Sequence, residues 1–384
     1  MIIAGIIAEY DPFHTGHKYH IEQTRMRCGA DAVICIMSAS FVQRGRPACF
    51  DKFARARAAA ENGADIVLEL PAAASLQSAE YFALGAVRRL AACGLITHIS
   101  FGAEAPISVS SGTEIAHGNC SDPAQTLFAR TEDSLLRTRL QAGLPYSRAA
   151  AVNTGQFPNA MLGAEYMRAS DAVGFHPEFI VIPRRGAGHG QLEGREHKSG
   201  TGLRQLLADN QSPAECLVSG GRFLDPESMI IPLLCRLRTM STQELAGISQ
   251  ISEGLEYRVV RAARSCSCLD ELILACKSKR YTYSRLSRAL CCAFLGITKE
   301  MSARAAERTD YLRVLALRKE ALPLLSLLCK KSAVPVCVKS AEFLRRSPRE
   351  ATEAFRAECL ATDLRAALEL ASGGQDFTRG LIIV

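Results

Sequence analysis

Near the start of the chain, two histidines flank a glycine in Pro12-Phe13-His14-Thr15-Gly16-His17, and His20 follows. His14 and His17 are three residues apart. On a helix that spacing is about one turn, so both imidazoles can address one cluster of oxygen atoms. Gly16 has no side chain to keep a phosphate away from the backbone. An apolar run, residues 2–8, precedes the motif, and a helical pattern follows it. The motif therefore opens a helix, where unpaired N–H groups and the positive dipole end favour an anion. These parts suit a nucleoside triphosphate attacked at its α-phosphate, with the histidines stabilising the charge that builds on oxygen.

Positioning such a site requires a strand that ends at the motif, in a sheet whose other strands end on the same side. The pattern supplies them. Residues 2–8, 32–37, 66–70 and 97–101 read as buried strands, and residues 17–27, 52–62 and 77–92 as helices between them. Gly29-Ala30-Asp31 and Gly63-Ala64-Asp65 punctuate the chain in the same way before two of these strands. Helices at about 132–142 and 161–171, a strand at 178–182, a Gly-rich loop over 184–200 and a helix opening near Thr201 complete the first half. Residues 105–125 read as a loop. After about residue 205 the pattern is mostly helical, apart from a short edge strand at 334–338 that carries Pro335. The expected fold is α/β: a doubly wound, parallel-sheet, Rossmann-like N-terminal domain (1–205) and a mainly α-helical C-terminal domain (206–384).

Composition narrows the class. The chain has 384 residues, 48% hydrophobic and 22% charged, which excludes disorder and fibrous repeats. Fifteen cysteines are spread through a chain large enough to build a core, so they read as buried thiols rather than a disulfide framework. Cys266/Cys268 and Cys291/Cys292 do not have the spacing of a zinc site, and no metal ligand set is assigned. No apolar run reaches the roughly 18 residues of a membrane span, and no basic, apolar leader opens the sequence. A cytoplasmic, membrane-free protein is the expectation. Residues 1–205 carry 20 Lys+Arg against 19 Asp+Glu, and residues 206–384 carry 26 against 20, so nearly all of the net +7 lies in the second half. All eight histidines lie in the first. This asymmetry suggests catalysis in one half and a polyanion partner in the other.

Several stretches resemble the bacterial tRNA(Met) cytidine acetate ligase family of the nucleotidyltransferase superfamily. They are Glu9 to His20 (EYDPFHTGHKYH), Met37 to Gly45 (MSASFVQRG), Lys52 to Arg55, Glu69 to Pro71, Gln77 to Glu80 and Phe101 to Glu104. Pro158-Asn159, Leu162-Gly163, Arg184 with Gly186-Ala187-Gly188, Glu253-Gly254-Leu255 and Lys279 to Thr282 continue the likeness in order. The family usually has Asn where Asp11 stands and Gly where Ala39 stands. The resemblance implies an ATP-dependent ligase that makes acetyl-adenylate, with ATP as co-substrate and Mg²⁺ accompanying it. It then acetylates N4 of the wobble cytidine of elongator tRNA(Met).

The resemblance also implies site residues. The ATP site would comprise Ile7, Ala8, Glu9, Tyr10, Asp11, Pro12, Phe13, His14, Thr15, Gly16, His17, Lys18, Tyr19, His20, Gly102, Asn159 and Arg184, with His14 and His17 catalytic. Gly102 ends a strand where a side chain would meet a nucleotide, Asn159 can both donate and accept, and Arg184 offers a planar fork. Arg204, after a turn of small residues, is a further phosphate candidate. Gln43, Arg44, Arg46 and Lys52 are candidates for acetate or pyrophosphate, and Glu69 for a cap or a ligand contact. In the second half, Arg258, Arg261 and Arg264 share a helical face. Lys277, Lys279, Arg280, Arg285 and Arg288 follow, interleaved with Tyr281 and Tyr283. Arg258, Arg261, Lys279, Arg280 and Arg285 are the expected tRNA contacts. Two rival readings also fit the first half: transfer of AMP to a small phosphorylated acceptor, and non-catalytic binding of nucleotide and RNA.

Overall fold

The structure is a computed structural model that describes residues 1–103, 158–183 and 199–384. Arg184, the expected helix at 132–142, the loop 105–125 and nearly all of the loop 184–200 lie outside the described residues.

The strands are β1 (Ile3–Ala8), β2 (Ala32–Ser38), β3 (Phe41–Val42), β4 (Arg46–Pro47), β5 (Ile66–Leu70), β6 (His98–Ala103), β7 (Glu178–Pro183), β8 (Leu312–Leu317), β9 (Val336–Cys337) and β10 (Ile382–Ile383). The main sheet runs β10-β8-β5-β2-β1-β6-β7, with β9 beside β8. From β5 to β7 every pairing is parallel. β3 and β4 form a separate antiparallel hairpin after β2. The helices of the first half are α1 (Thr15–Cys28), α2 (Lys52–Glu61), α3 (Ala72–Ser75), α4 (Ala79–Ala92), α5 (Pro158–Val173) and α6 (Gly200–Ala208). Those of the second half are α7 (Ile230–Thr239), α8 (Thr242–Gly247), α9 (Leu255–Ser265), α10 (Leu269–Cys276), α11 (Tyr283–Leu295) and α12 (Lys299–Glu307). Then come α13 (Leu322–Lys331), α14 (Ser340–Arg346), α15 (Arg349–Leu368) and α16 (Gln375–Thr378).

Central strands bury both faces, which is why they are continuous apolar runs. Ile34 and Ile36 of β2 face one core cluster, whereas Val33, Cys35 and Met37 face another. A third cluster joins α7–α11 and takes in Phe41 of the β3–β4 hairpin. The strands and helices expected in the described part of the first half are all present.

The second half departs from expectation at β8 and β10. The stretch Leu-Arg-Val-Leu-Ala-Leu is rich in helix formers and has no strand alternation, yet it pairs antiparallel with β5. Tertiary pairing decides its state, not propensity. The sheet therefore runs across the expected boundary at residue 205. β9 is shorter than the expected 334–338 strand but lies at the outer side of β8, where the Pro335 carbonyl accepts from the Leu312 N–H at 3.0 Å.

A buried ion cluster fastens these late elements to the sheet. Lys52 has no exposed side chain, and its Nζ lies 2.5 Å from Glu69 Oε1 and 2.8 Å from Asp376 Oδ1. Arg313 of β8 donates to the same Asp376 oxygen. Lys52 is thus a structural cation and cannot reach acetate or pyrophosphate, and Glu69 is its partner. Glu358 of α15 accepts from the Ala72 N–H at 2.6 Å. Burial, with the charge of Glu69 added to it, raises the Glu358 carboxyl from 4.5 to about 8. The fold binds this proton more tightly than the unfolded chain does. The contribution to stability is complete below about pH 4.5 and is lost as pH rises through about 8. The Glu358→Gln variant is therefore expected to match the parent in urea midpoint near pH 5 and to exceed it above pH 8. A gap that does not widen with pH would show that Glu358 ionises normally in the fold.

Candidate active site

β1 ends at Ala8, and the chain turns sharply before α1. Tyr10 takes a positive φ of 50°, buries its ring and donates from its hydroxyl to Cys35 Sγ at 3.2 Å. The Asp11–Pro12 peptide is cis. Phe13 is fully buried, with its ring centroid 4.8 Å from that of Tyr10. This apolar base supports the two histidines. Their ring centroids lie 3.9 Å apart, with the planes tilted by 31°.

The histidines also close the end of the helix. His14 is the N-cap of α1, and its Nδ1 accepts from the Gly16 N–H at 3.0 Å. His17 Nδ1 accepts from the His14 N–H at 3.2 Å. With Nδ1 used as an acceptor in both rings, each neutral imidazole carries its proton on Nε2. Both Nε2–H groups are then donors fixed in direction by the cap. Gly16 has a packing reason as well: a Cβ there would stand 2.9 Å from the His14 ring.

A second helix end meets the first. Ser199 caps α6, accepting from the Gly202 N–H at 3.1 Å. A Cβ at Gly200 would lie 3.6 Å from the Asp11 carbonyl oxygen and 4.0 Å from His14 Nε2. The N-termini of α1 and α6 therefore converge beside the paired imidazoles, a concentration of positive potential suited to a polyphosphate.

Asp11 holds this junction together. Its Oδ2 accepts from Arg46 Nη2 at 2.9 Å, and its Oδ1 from the Cys49 N–H at 2.7 Å. Arg204 of α6 donates to the Asp11 carbonyl and lies 3.8 Å from its carboxylate. Burial opposes ionisation of Asp11, but Arg46, Arg204 and Arg55 outweigh it and hold the carboxyl well below the usual carboxylate range. Arg46 and Arg204 were candidates for ligand contacts. Both are engaged with Asp11 and act first as its partners. Arg44 is exposed, with Nε 3.9 Å from Glu9 Oε2.

The remaining expected residues fall into place unevenly. Ile7 and Ala8 end β1 and Glu9 follows it, its carboxylate accepting from the Gln43 N–H at 2.7 Å. Thr15 and Tyr19 are half-buried in the first turns of α1, and Lys18 is exposed. His20 Nε2 lies 3.0 Å from Ser100 Oγ of β6. Gly102 lies near the end of β6, opposite Ile182 of β7. Asn159 is half-buried at the start of α5. Arg258, Arg261, Lys279 and Arg280 are exposed, and Arg280 pairs with Glu253 at 2.8 Å. The Arg285 guanidinium lies 4.8 Å over the Tyr281 ring. Arg55 is the residue that sequence reasoning quoted but gave no role. It is fully buried and donates to the carbonyls of Glu9, Ser38, Ala39 and Phe50.

Comparison with known proteins agrees with this geometry. The sequence profile of the HIGH Nucleotidyl Transferase family matches residues 1–376. The chain is 32% identical to the tRNA(Met) cytidine acetate ligase of Syntrophomonas wolfei, with 98% of each chain covered. It is 34% identical to that of Latilactobacillus sakei, with 88% of each covered. The chain belongs to the tRNA(Met) cytidine acetate ligase family. A solved member, Thermotoga maritima TmcAL bound with alpha-thio ATP, superposes with a TM-score of 0.85 at 26% identity over the whole of both chains. Its apo form gives 0.87 at 27% identity.

Asp11 places a negative charge between two guanidinium groups. Removing that charge and both acceptor oxygens leaves Arg46 unpaired in a buried setting. Asp11→Ala is expected to lower unfolding free energy by about 3–5 kcal/mol. Asp11→Asn keeps an acceptor for the Cys49 N–H and is expected to cost less than half as much. Chemical denaturation of the two variants checks the order, and equal losses would show that the retained acceptor contributes nothing and the charge carries the whole effect.

Proposed function

We propose that the protein is an ATP-dependent acetate–tRNA ligase that forms N4-acetylcytidine at the wobble position of elongator tRNA(Met). The observation that carries this reading is the convergence of two helix N-termini beside a pair of adjacent imidazoles, with His14 Nε2 next to the start of α6. Family membership supplies the acceptor chemistry.

In the first half-reaction an acetate oxygen attacks the α-phosphorus of ATP, and pyrophosphate leaves. Negative charge grows on the phosphate oxygens. His14, His17 and the helix ends are fixed in advance and need not reorganise to meet it. Among the described residues no three His, Cys, Asp or Glu side chains converge as a cation site. Mg²⁺, where it accompanies the triphosphate, would neutralise charge on the phosphate oxygens. In the second half-reaction the cytidine amine attacks the acetyl carbonyl, AMP leaves, and the amine loses a proton. An anticodon loop already presents unpaired bases to such a site.

The exposed cations of α9, the α10–α11 connection and the stacked Arg285–Tyr281 pair support a phosphate-tracking surface on the second half. We assign the tRNA-binding role to this helical region, residues 230–307 above all. Among the described residues no helix is long and apolar enough to cross a membrane, which fits a reaction on tRNA in the cytoplasm.

The deciding experiment incubates the pure protein with ATP, Mg²⁺, labelled acetate and total tRNA, then digests the tRNA to nucleosides. Label in N4-acetylcytidine is the expected result. Acetate-independent transfer of AMP to a small molecule would favour the rival nucleotidyltransferase reading. His17→Ala removes one fixed donor and one half of the helix cap. It is expected to reduce acetate-dependent ATP–pyrophosphate exchange by at least 10²-fold. Exchange at the parental rate would remove His17 from the phosphate role.

A further inference from the structure

Among the described residues the buried cations have partners, with one exception. Lys52 has two carboxylates, Arg55 four carbonyls, Arg313 has Asp376, and Arg365 has Glu369 and the Ala48 carbonyl. Arg288 of α11 is 8% exposed, and its Nε is sealed from solvent with no acceptor. Among the described residues no carboxylate pairs with it. A like charge, Arg285, one turn earlier on α11, acts on it, and burial pushes the guanidinium down to about 10. A buried cation without a counter-charge is costly, and a fold keeps one where something else supplies the anion.

The surroundings say which anion. Gly45, with φ of 80°, brings the tip of the β3–β4 hairpin onto α11, so closely that a Cβ there would stand 2.3 Å from the Arg288 backbone nitrogen. The next residue, Arg46, is bound to Asp11 beside the imidazole pair. Arg46 is also near enough to Tyr283 and Cys291 of α11 to act on both electrostatically. One turn earlier on α11, Arg285 lies over Tyr281 and donates to Ser252 Oγ at 3.0 Å. Arg288 thus stands between the hairpin that leads to the proposed chemistry and the aromatic–cation pair on the basic surface. An RNA strand running from that surface to the imidazoles would cross α11 there.

We propose that Arg288 receives a backbone phosphodiester of the substrate RNA next to the modified nucleotide and so positions the base for acetyl transfer. This rests on the reading given under Proposed function. A planar guanidinium can grip two phosphate oxygens at once, which an ammonium cannot.

The test uses the full chain and an unmodified elongator tRNA(Met) transcript. Arg288→Met keeps the volume and removes the charge. It is expected to raise the KM for tRNA about tenfold or more. One fewer phosphate contact should flatten the log K against log salt slope by about 0.7–0.9. Acetate-dependent ATP–pyrophosphate exchange measured without tRNA should change less than threefold. Arg288→Lys should recover part of the tRNA effect, and it decides the matter if the Met variant fails to fold. Unchanged tRNA KM and salt slope in a folded variant would overturn the proposal. A raised KM for acetate in the exchange assay would also overturn it, because the guanidinium would then serve the acid. If the parent protein acetylates no tRNA, the functional reading itself falls. If the parent acetylates tRNA and the variants behave like it, only the Arg288 assignment falls.

Discussion

Arg55 is the constraint on which the site is built. Strands end with carbonyls that the sheet no longer satisfies, and buried ones must find donors. The guanidinium of Arg55 supplies them to Glu9 after β1 and to Ser38 and Ala39 after β2, and it also reaches the Phe50 carbonyl. Both turns that leave the sheet at this end are held by one planar group. One turn leads to Asp11, His14 and His17, and the other to the β3–β4 hairpin and Arg46. Burial weakens the hold of this guanidinium on its proton, but four acceptors and a nearby Asp11 charge keep it a cation. The arrangement gives rigidity where a preorganised site requires it.

The hairpin then joins the two halves of the molecule. Phe41 packs into the helical core, with its ring 6.2 Å from Phe294, and Gly45 touches the α11 backbone. Arg46 reaches back to Asp11. Any displacement of α11 is therefore felt at Asp11 within one short, hydrogen-bonded hairpin. If RNA engages α11 as proposed, the same path places its cytidine close to an adenylate formed at the imidazoles.

The motif around His14 and His17 was legible in the sequence because its chemistry is local. A strand, a glycine and two histidines at helical spacing need no distant partner to be read. The parallel βα order was legible for the same reason, since each strand is a continuous apolar run between helices. What could not be read depends on contacts across the chain. Lys52 resembles a phosphate-binding residue until Glu69 and Asp376 are seen around it. Arg46 and Arg204, widely separated in sequence, meet only because α6 docks beside Asp11. The strand Leu312–Leu317 has helix-like composition, and only the open edge of β5 makes it a strand. Arg288 reads in the sequence only as one more member of a basic run, because being buried without a partner is a property of the folded chain alone.

The position of β8 sets an order of events during synthesis. β5 is formed early and apolar, yet the strand that covers its outer edge comes from residues 312–317. Until the ribosome has made that stretch, the nascent sheet ends in a bare row of N–H and C=O groups beside Ile66, Val67 and Leu68, the kind of edge that recruits other chains. Pairing over such a distance is slow to form as well as late to become available. The ATP half alone, cut at residue 205, would keep that edge permanently open. Although its motif is complete by His17, the enzyme is expected to gain a soluble, closed sheet only when its last quarter has been translated.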